Sequence, residues 1–277
     1  MTRRIDLGLG PSRREALGAM GGGMLGLVGV VGTASASGRV VRDDLVALFR
    51  AEGVEGTMVV VDAASGQETV IGARADERRV PASTYKIVNS LIALETGVVR
   101  DENEILPFGG GPQPYPTWAK DQSMREAIAV SAVPIYQEVA RRIGLERQRE
   151  WLARLDYGNR DPGTVVDRFW LDGPLAISPA EQARFAAKLA RGQLPMSARA
   201  QAIVRDILRI EASDGRSLHA KTGVCASCRP MVGWWTGWVE RSARATAFSL
   251  ALDMGSIADA PKRLTIGRAV LAALGAW

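Results

Sequence analysis

The sequence places its strand-forming segments near both ends and a long helical stretch between them. Two β-branched runs flank a Ser-Gly turn in TMVVVDAASGQETVIG, which is typical of a β-hairpin. Three segments near the other end also have strand character: SLHAKTG, MVGWWTGWVE and RATAFSLALD. This distribution predicts a mixed α/β fold, in which N- and C-terminal segments close one antiparallel sheet flanked by helices, next to an all-helical region.

Helical patterns fill most of the middle of the chain. A short amphipathic helix is predicted in VVRDDLVALFRAEG, where Gly53 ends it, and a second from Ser83 to Thr96, ended by Gly97. Further helices are predicted over residues 123–130, 134–143, 146–156, 179–191, 197–209 and 261–274. The Gly- and Pro-rich segment PFGGGPQPYP predicts a long loop.

The first 36 residues have the features of an export signal. Arg13 and Arg14 form a twin arginine, a weakly apolar run follows, and Ala34-Ser35-Ala36 matches a cleavage site. A retained anchor is the alternative, although the apolar run is short for a membrane span. We predict a twin-arginine-type signal over residues 1–36 and a mature domain over 37–277. The mature domain is then periplasmic or secreted, without stable membrane association.

Composition limits the kinds of partner that are expected. The 277 residues are 47% hydrophobic and 23% charged, which is typical of a globular chain with one core. The net charge of +5 is too mild to predict binding to nucleic acid. The sequence therefore favours a protein without a nucleic-acid partner, and it leaves the oligomeric state open.

The stretch PASTYKIVNS contains the first candidate for chemistry. Ser83 lies at the start of a predicted helix, near unpaired backbone N–H groups, and Lys86 follows three positions later on the same face. A charged lysine cannot accept a proton, so the amine acts as a base only if desolvation lowers its pKa or chemistry converts it. The alternative is an N-cap serine next to a surface lysine.

The other candidate nucleophile systems are poorly represented. His219 is the one histidine of the chain, and no G-x-S-x-G motif is present, so a Ser-His-Asp hydrolase is not favoured. K-T-G at Lys221-Thr222-Gly223 lies in a predicted strand, where glycine lets a substrate approach the backbone. Ser131 offers a second hydroxyl at a helix junction, where a capping role is the alternative.

These motifs together resemble the class D, or oxacillinase-type, serine β-lactamases. The order of the motifs matches that family over essentially all of the predicted mature chain: Ser83-Thr84-Tyr85-Lys86, Ser131-Ala132-Val133, Tyr157-Gly158-Asn159, Trp170 in FWLDGPLAIS, Lys221-Thr222-Gly223 and GWWTGWVE. The resemblance implies the fold of β-lactamases and penicillin-binding transpeptidases. In that fold the site lies between an α/β sheet region and an all-helical region.

The resemblance also implies a catalytic role for five of these residues. Ser83 would be the nucleophile that a β-lactam acylates, and Lys86 would be carboxylated by CO2 and act as the general base. Trp170 would stabilise the resulting carbamate through its indole N–H, with core packing as the alternative. Ser131 would relay a proton to the departing lactam nitrogen, with Lys221 as its electrostatic partner.

A further set of residues is implied to hold the substrate. The backbone N–H groups of Ser83 and Val224 would form the oxyanion hole, and Thr222 and Gly223 would line the strand along which the β-lactam lies. The family uses an arginine of the last helix for the substrate carboxylate, and in RLTIGRAVL we assign Arg268. The remaining residues implied to line or support the cleft are Trp118, Met124 and Val133.

Two features are interpreted without a catalytic role. Tyr157 and Asn159 lie in LDYGNRDPG, where a turn is favoured over direct chemistry. Cys225 and Cys228 form a C-x-x-C that departs from the family pattern and lacks further metal ligands. For an exported protein we predict a disulfide between them.

Three functional classes stay open on the sequence alone. One is a hydrolase of small-molecule β-lactams that needs no metal and no cofactor other than the CO2 on Lys86. The second is a penicillin-binding transpeptidase or carboxypeptidase, and the third is a β-lactam sensor. The second and third acylate without efficient turnover, whereas Ser131-Ala132-Val133 and Trp170 favour the hydrolase by resemblance.

Overall fold

The computed structural model describes residues 38–242 and 244–277. The predicted export signal over residues 1–36 lies outside the described residues. No helix in the described ranges has the length and apolarity needed to cross a membrane.

Seven strands form the main sheet in the order β1-β3-β2-β9-β8-β7-β6. The strands of this sheet are β1 (Arg39–Val41), β2 (Glu55–Asp62), β3 (Glu68–Ile71), β6 (Arg209–Ser213), β7 (Arg216–Cys225), β8 (Met231–Arg241) and β9 (Arg244–Met254). Two short strands, β4 (Ile105–Leu106) and β5 (Gln122–Ser123), pair separately.

The ends of the described chain meet in the middle of this sheet, as predicted. β2 and β3 form the expected antiparallel hairpin, and β2 also pairs antiparallel with β9 over eight positions from Glu55 to Asp62. Only the short β1 runs parallel to its neighbour, β3, among the strands described. The mixed α/β prediction is therefore confirmed, with β1 and β6 as strands that the sequence did not indicate.

Eight α-helices accompany the sheet in the described residues. They are α1 (Ala47–Ala51), α2 (Lys86–Glu95), α3 (Met124–Ala129), α4 (Val133–Ile143), α5 (Leu145–Arg154), α6 (Pro179–Ala190), α7 (Ala198–Ile207) and α8 (Lys262–Ala273). The helix predicted in VVRDDLVALFRAEG begins later than expected. Its first residues belong to β1, because Val40 and Val41 pair with Thr69 and Val70 of β3.

Each face of the sheet buries its own core. Along β2, Val59 and Val61 pack with the helical region, whereas Met58 and Val60 pack on the opposite face with residues of α1 and α8. This alternation follows from the two-residue period of a strand. Both faces are covered, which explains why β2 reads as a continuous apolar run.

Helix α2 lies in the interior between the sheet and the other helices. Every residue from Lys86 to Leu94 is buried. Its N-terminus therefore brings a lysine into the core, which is unusual because an unpaired buried charge is costly. That terminus is where the candidate site is found.

Candidate active site

Ser83 is held in a tight turn that leads into α2. Residues 82–85 form one turn of 3₁₀ helix, and Thr84 Oγ1 donates to the carbonyl of Pro81 at 2.7 Å. Ala82 has φ +49°, a left-handed conformation that is strained for a residue with a Cβ. Ala82, Thr84 and Tyr85 are buried while Ser83 is partly exposed, so the turn presents one hydroxyl to solvent.

The Lys86 amine lies directly behind that hydroxyl. Its Nζ is 2.8 Å from Ser83 Oγ and 5.4 Å from the centre of the Tyr136 ring, and the residue has no exposed surface. Burial lowers the pKa of Lys86 well below its ordinary value, and the positive charge of Lys221 lowers it further. The amine therefore loses its proton more readily than an ordinary lysine, and a deprotonated amine is what a base at this position requires.

Ser131 and Lys221 form a second hydroxyl–amine pair. Lys221 Nζ lies 3.0 Å from Ser131 Oγ and donates to the carbonyl of Thr222 at 3.0 Å. Ser131 connects α3 to α4 with φ +58°, a second strained non-glycine residue at this site. Burial, with a smaller contribution from the charge of Arg263, lowers the pKa of Lys221 to about 7.

Gly223 explains how β7 reaches the serine. A Cβ at this position would lie 3.0 Å from the carbonyl oxygen of Pro81 and 3.1 Å from the backbone nitrogen of Ser83. The strand and the Ser83 turn are thus in direct backbone contact. The sequence predicts that this glycine lets a substrate approach the strand. The structure shows that the absence of a side chain also lets the Pro81–Ser83 backbone pack against the strand.

Trp170 is completely buried, and its ring stacks on Tyr85 with centroids 5.7 Å apart. Its indole Nε1 has no hydrogen-bond partner within the described part of the chain. Buried indole N–H groups usually donate to an acceptor. The Trp170 N–H is therefore available for an acceptor that the described residues do not provide. Packing is therefore only part of the account of Trp170.

Three buried polar side chains in and next to α2 form a hydrogen-bonded series that the sequence did not predict. The hydroxyl of Tyr85 donates to Gln148 Oε1 at 2.6 Å, and Gln148 Nε2 donates to Asn89 Oδ1 at 2.7 Å. Gln148 lies on α5 three and four positions before Trp151 and Leu152, which are also buried. That shared helical face was the signal that could have identified it.

Arg268, the arginine assigned from the last helix, has partners on the surface of the sheet in this structure. Arg268 forms an ion pair with Glu211 of β6 and lies over the Trp277 ring at 4.5 Å. Arg263, one and a half turns earlier on α8, is instead close enough to lower the pKa of Lys221. Its Nε is buried without a partner among the described residues, while its Nη1 donates to the carbonyl of Ala260.

The residues expected to line or support the cleft have different environments. Met124 is fully buried and belongs to the core on the helical side. Trp118 is partly exposed, and its indole donates to the carbonyl of Val130 at 3.0 Å. Val133 begins α4 two residues after Ser131 and is partly exposed.

The interpretation of LDYGNRDPG as a turn is confirmed. Gly158 has φ +57°, and a Cβ there would meet the carbonyl oxygen of Ala176 at 2.2 Å. The Asn159 amide donates to the carbonyl of Pro174 at 2.8 Å and accepts from the backbone N–H of Ala176 at 3.0 Å. The segment therefore organises the loop that carries Trp170.

The predicted disulfide is also present. Cys225, the last residue of β7, is bonded to Cys228, with Cα atoms 5.4 Å apart. Cys225 follows Val224 directly, so the bond closes a small ring immediately after the strand that carries Lys221.

The sheet, the helices that flank it and the buried α2 define a protein with the fold shared by β-lactamases and penicillin-binding transpeptidases. Residues 56–272 match the family described as the penicillin binding protein transpeptidase domain. β-Lactamase OXA-5 of Pseudomonas aeruginosa is 38% identical over 82% of this chain and 86% of its own length. OXA-48 of Klebsiella pneumoniae is 41% identical over 72% and 75% of the two chains. The chain belongs to the class D β-lactamases, which are hydrolases of β-lactams.

A solved structure has the same fold. The class D β-lactamase YbXI from Nostoc superposes with a TM-score of 0.82 at 37% identity, covering 85% of this chain and 100% of that one. The similarity extends through both the sheet and the helical region.

Proposed function

We propose that this enzyme hydrolyses β-lactams through an acyl-enzyme on Ser83, with Lys86 in carboxylated form as the general base. One observation carries the proposal. A lysine without exposed surface, whose pKa is strongly lowered by burial, lies 2.8 Å from a partly exposed serine hydroxyl.

The residues around Lys86 fit a carboxyl group on its amine. Only a neutral amine attacks CO2, and burial of Lys86 shifts its pKa in the direction that favours this form. The unpartnered indole N–H of Trp170 is a donor that such an acceptor would satisfy. With CO2 bound, Lys86 would provide an anionic base for the proton of Ser83 and later for that of water.

Ser83, Ser131 and Lys221 are proposed to carry out the remaining steps of acylation. Ser83 Oγ attacks the lactam carbonyl carbon, the C–N bond of the ring breaks, and an ester to Ser83 forms. Ser131 donates a proton to the departing nitrogen and recovers one from Lys221, whose pKa near 7 permits this exchange. Water then cleaves the ester, which releases the opened acid and restores Ser83.

The strand that carries Lys221 also positions the reacting carbonyl. Gly223 allows β7 to touch the Ser83 backbone, so the N–H groups of Ser83 and Val224 are proposed to hold the developing oxyanion. Thr222 and Val133 are proposed to contact the body of the substrate.

Arg263 is proposed to bind the substrate carboxylate. Its guanidinium is close to Lys221 and retains a buried unpaired N–H, whereas Arg268 is paired with Glu211. A carboxylate at this end of the site would satisfy that donor and offset the charge of Arg263.

Turnover distinguishes the hydrolase from a protein that only becomes acylated. The purified enzyme is expected to hydrolyse many equivalents of a chromogenic cephalosporin, and Ser83→Ala is expected to show neither turnover nor a penicilloyl adduct by intact mass. A stoichiometric burst without turnover would favour a transpeptidase or a sensor. An adduct on Ser83→Ala would place the nucleophile elsewhere.

We also propose that the enzyme acts after export. The disulfide between Cys225 and Cys228 is suited to an oxidising compartment, and residues 1–36 have a twin-arginine pattern. The intact mass of the protein recovered outside the cytoplasm is expected to correspond to cleavage near Ala36. Full-length protein confined to the cytoplasm would contradict export.

A further inference from the structure

We propose that the Cys225–Cys228 disulfide is a positioning element for carboxylation of Lys86: it fixes the end of β7 against the segment that carries Trp170. The inference rests on the proposed function, because it concerns the base on Lys86. It assigns the bond a role in catalysis beyond that of closing a loop.

The disulfide touches the backbone on the serine side of the site. Cys225 is buried, 1% exposed, in a small apolar cluster that contains Ala82 and Trp234. Ala82 is the strained residue immediately before Ser83. The Trp234 indole donates to the carbonyl of Val80 at 2.8 Å, which ties the same cluster to the chain entering the Ser83 turn.

The disulfide also touches the segment that follows Trp170. The sulfur of Cys225 lies 3.7 Å from the carbonyl oxygen of Leu171, the residue after Trp170. Within the disulfide ring, the hydroxyl of Ser227 donates to Asp172 Oδ1 at 3.4 Å. The ring from Cys225 to Cys228 therefore contacts both residues that follow Trp170: its sulfur packs against Leu171 and its serine hydrogen-bonds to Asp172.

These contacts connect the disulfide with Trp170, whose indole N–H has no hydrogen-bond partner among the described residues. The Trp170 indole N–H can stabilise a carboxyl group only if the ring keeps its position. The Trp170 ring stacks on Tyr85, and the chain that follows it packs against the disulfide ring and accepts a hydrogen bond from Ser227. Opening the ring frees the chain from Cys225 to Cys228 and loosens the second of these constraints.

Cys228 is the sulfur that a reductant reaches first. It is partly exposed and lines a surface hollow of about 320 Å³ together with Val80 and Arg229, whereas Cys225 is buried. A dithiol attacks Cys228 Sγ, the S–S bond breaks, and Cys225 leaves as a thiolate that takes up a proton. The second thiol of the reagent then displaces Cys228, so that the protein gains two thiols and the dithiol becomes a cyclic disulfide.

The test compares the oxidised and the dithiothreitol-reduced enzyme. Turnover of a chromogenic cephalosporin is measured against bicarbonate concentration in buffer first purged of CO2. Reduction is expected to raise the bicarbonate concentration for half-maximal turnover by about threefold to tenfold, and reoxidation to reverse it. Saturating bicarbonate is expected to restore most of the rate.

Two variants separate positioning from folding. Cys228→Ser keeps a buried thiol at Cys225, so it is expected to need the higher bicarbonate concentration and to ignore the reductant. Ser227→Ala keeps the disulfide but loses the hydrogen bond to Asp172, so it is expected to need a bicarbonate concentration between those of the oxidised and reduced parent and to keep part of the response to reduction. Thermal melting of each sample under assay conditions shows that the molecules compared are folded.

Three results would overturn the proposal. The first is an unchanged half-saturating bicarbonate concentration in the folded, reduced enzyme. The second is a loss of rate that saturating bicarbonate does not restore, and the third is a reductant response in Cys228→Ser. If the oxidised enzyme itself shows no dependence on bicarbonate, the failure lies with the carboxylated base and not with the disulfide.

Discussion

Lys221 and Ser131 are 90 residues apart in sequence, yet Nζ of one lies 3.0 Å from Oγ of the other. This contact joins the sheet to the helical region across the site. Because Lys221 is 5% exposed, its amine is kept away from water that would stabilise its charge. This single contact thus holds the Lys221 amine between the sheet and the helical region, where burial lowers its pKa to about 7.

The lowered pKa of Lys221 predicts how stability depends on pH. Its pKa is about 7 in the folded protein and ordinarily 10.5, so between these values the unfolded chain binds more protons and the free energy of unfolding rises with pH. In CO2-free buffer, Lys221→Met is expected to lose much of this slope and to gain a few kcal/mol at or below pH 7, since a pKa change of one is worth about 1.4 kcal/mol.

Denaturant unfolding between pH 6 and pH 10 measures this effect. The exposed Lys120→Met serves as the matched control and is expected to keep the slope of the parent enzyme. An unchanged slope in Lys221→Met would show that its amine is not desolvated in the folded protein.

Gly223→Ala is expected to reduce kcat/KM by about tenfold, because the added Cβ forces the Ser83 turn to shift and a misplaced nucleophile loses rate steeply with distance. The added Cβ would lie 3.0 Å from Pro81 O and 3.1 Å from Ser83 N, and backbone atoms cannot swing away. Gly38→Ala, which meets nothing within 4 Å, is the control. Steady-state kinetics with unchanged kcat/KM in Gly223→Ala would contradict the close approach of β7 to the serine turn.

Arg263→Ala is expected to raise KM by more than about tenfold for substrates with a carboxylate, while Arg268→Ala has little effect on KM. Removing the charge of Arg263 also lets the pKa of Lys221 rise, so the alkaline limb of the rate profile is expected to move upward. Equal KM values for the two variants would contradict the assignment to Arg263, and a larger KM for Arg268→Ala would return the role to Arg268.

The helices and most strands could be predicted because their residues follow local rules. Strand β2 and helix α2 have strong periodic or apolar patterns, and the turn at Gly158 needs a left-handed residue. Strand β6 could not be predicted, since every residue from Arg209 to Ser213 is exposed and the strand exists through pairing with β7. Its formation is a tertiary effect.

The identity of the site residues was easier to predict than their orientation. Motifs located Ser83, Lys86 and the strand of Lys221. Arg263 and Arg268 are five positions apart and therefore about 140° apart around α8, so the sequence does not say which one faces the site. The left-handed conformation of Ala82 is equally invisible, because a local pattern for alanine predicts no such backbone.

Trp170→Phe is expected to raise the bicarbonate concentration for half-maximal turnover by about tenfold or more, because it removes the donor while keeping an aromatic ring against Tyr85. Trp118→Phe also removes an indole N–H, but one that donates to Val130, and its bicarbonate dependence is expected to match the parent. The two titrations are run in parallel by chromogenic assay. Identical shifts in both variants would contradict a specific role for Trp170.

The central claim is that burial keeps the Lys86 amine neutral, so that it captures CO2 next to Ser83. Carbon-13 NMR of enzyme equilibrated with labelled bicarbonate tests this directly. We predict one carbamate carbon signal per chain, which disappears on acidification and is missing from Lys86→Ala. A fully active enzyme without that signal would contradict the claim.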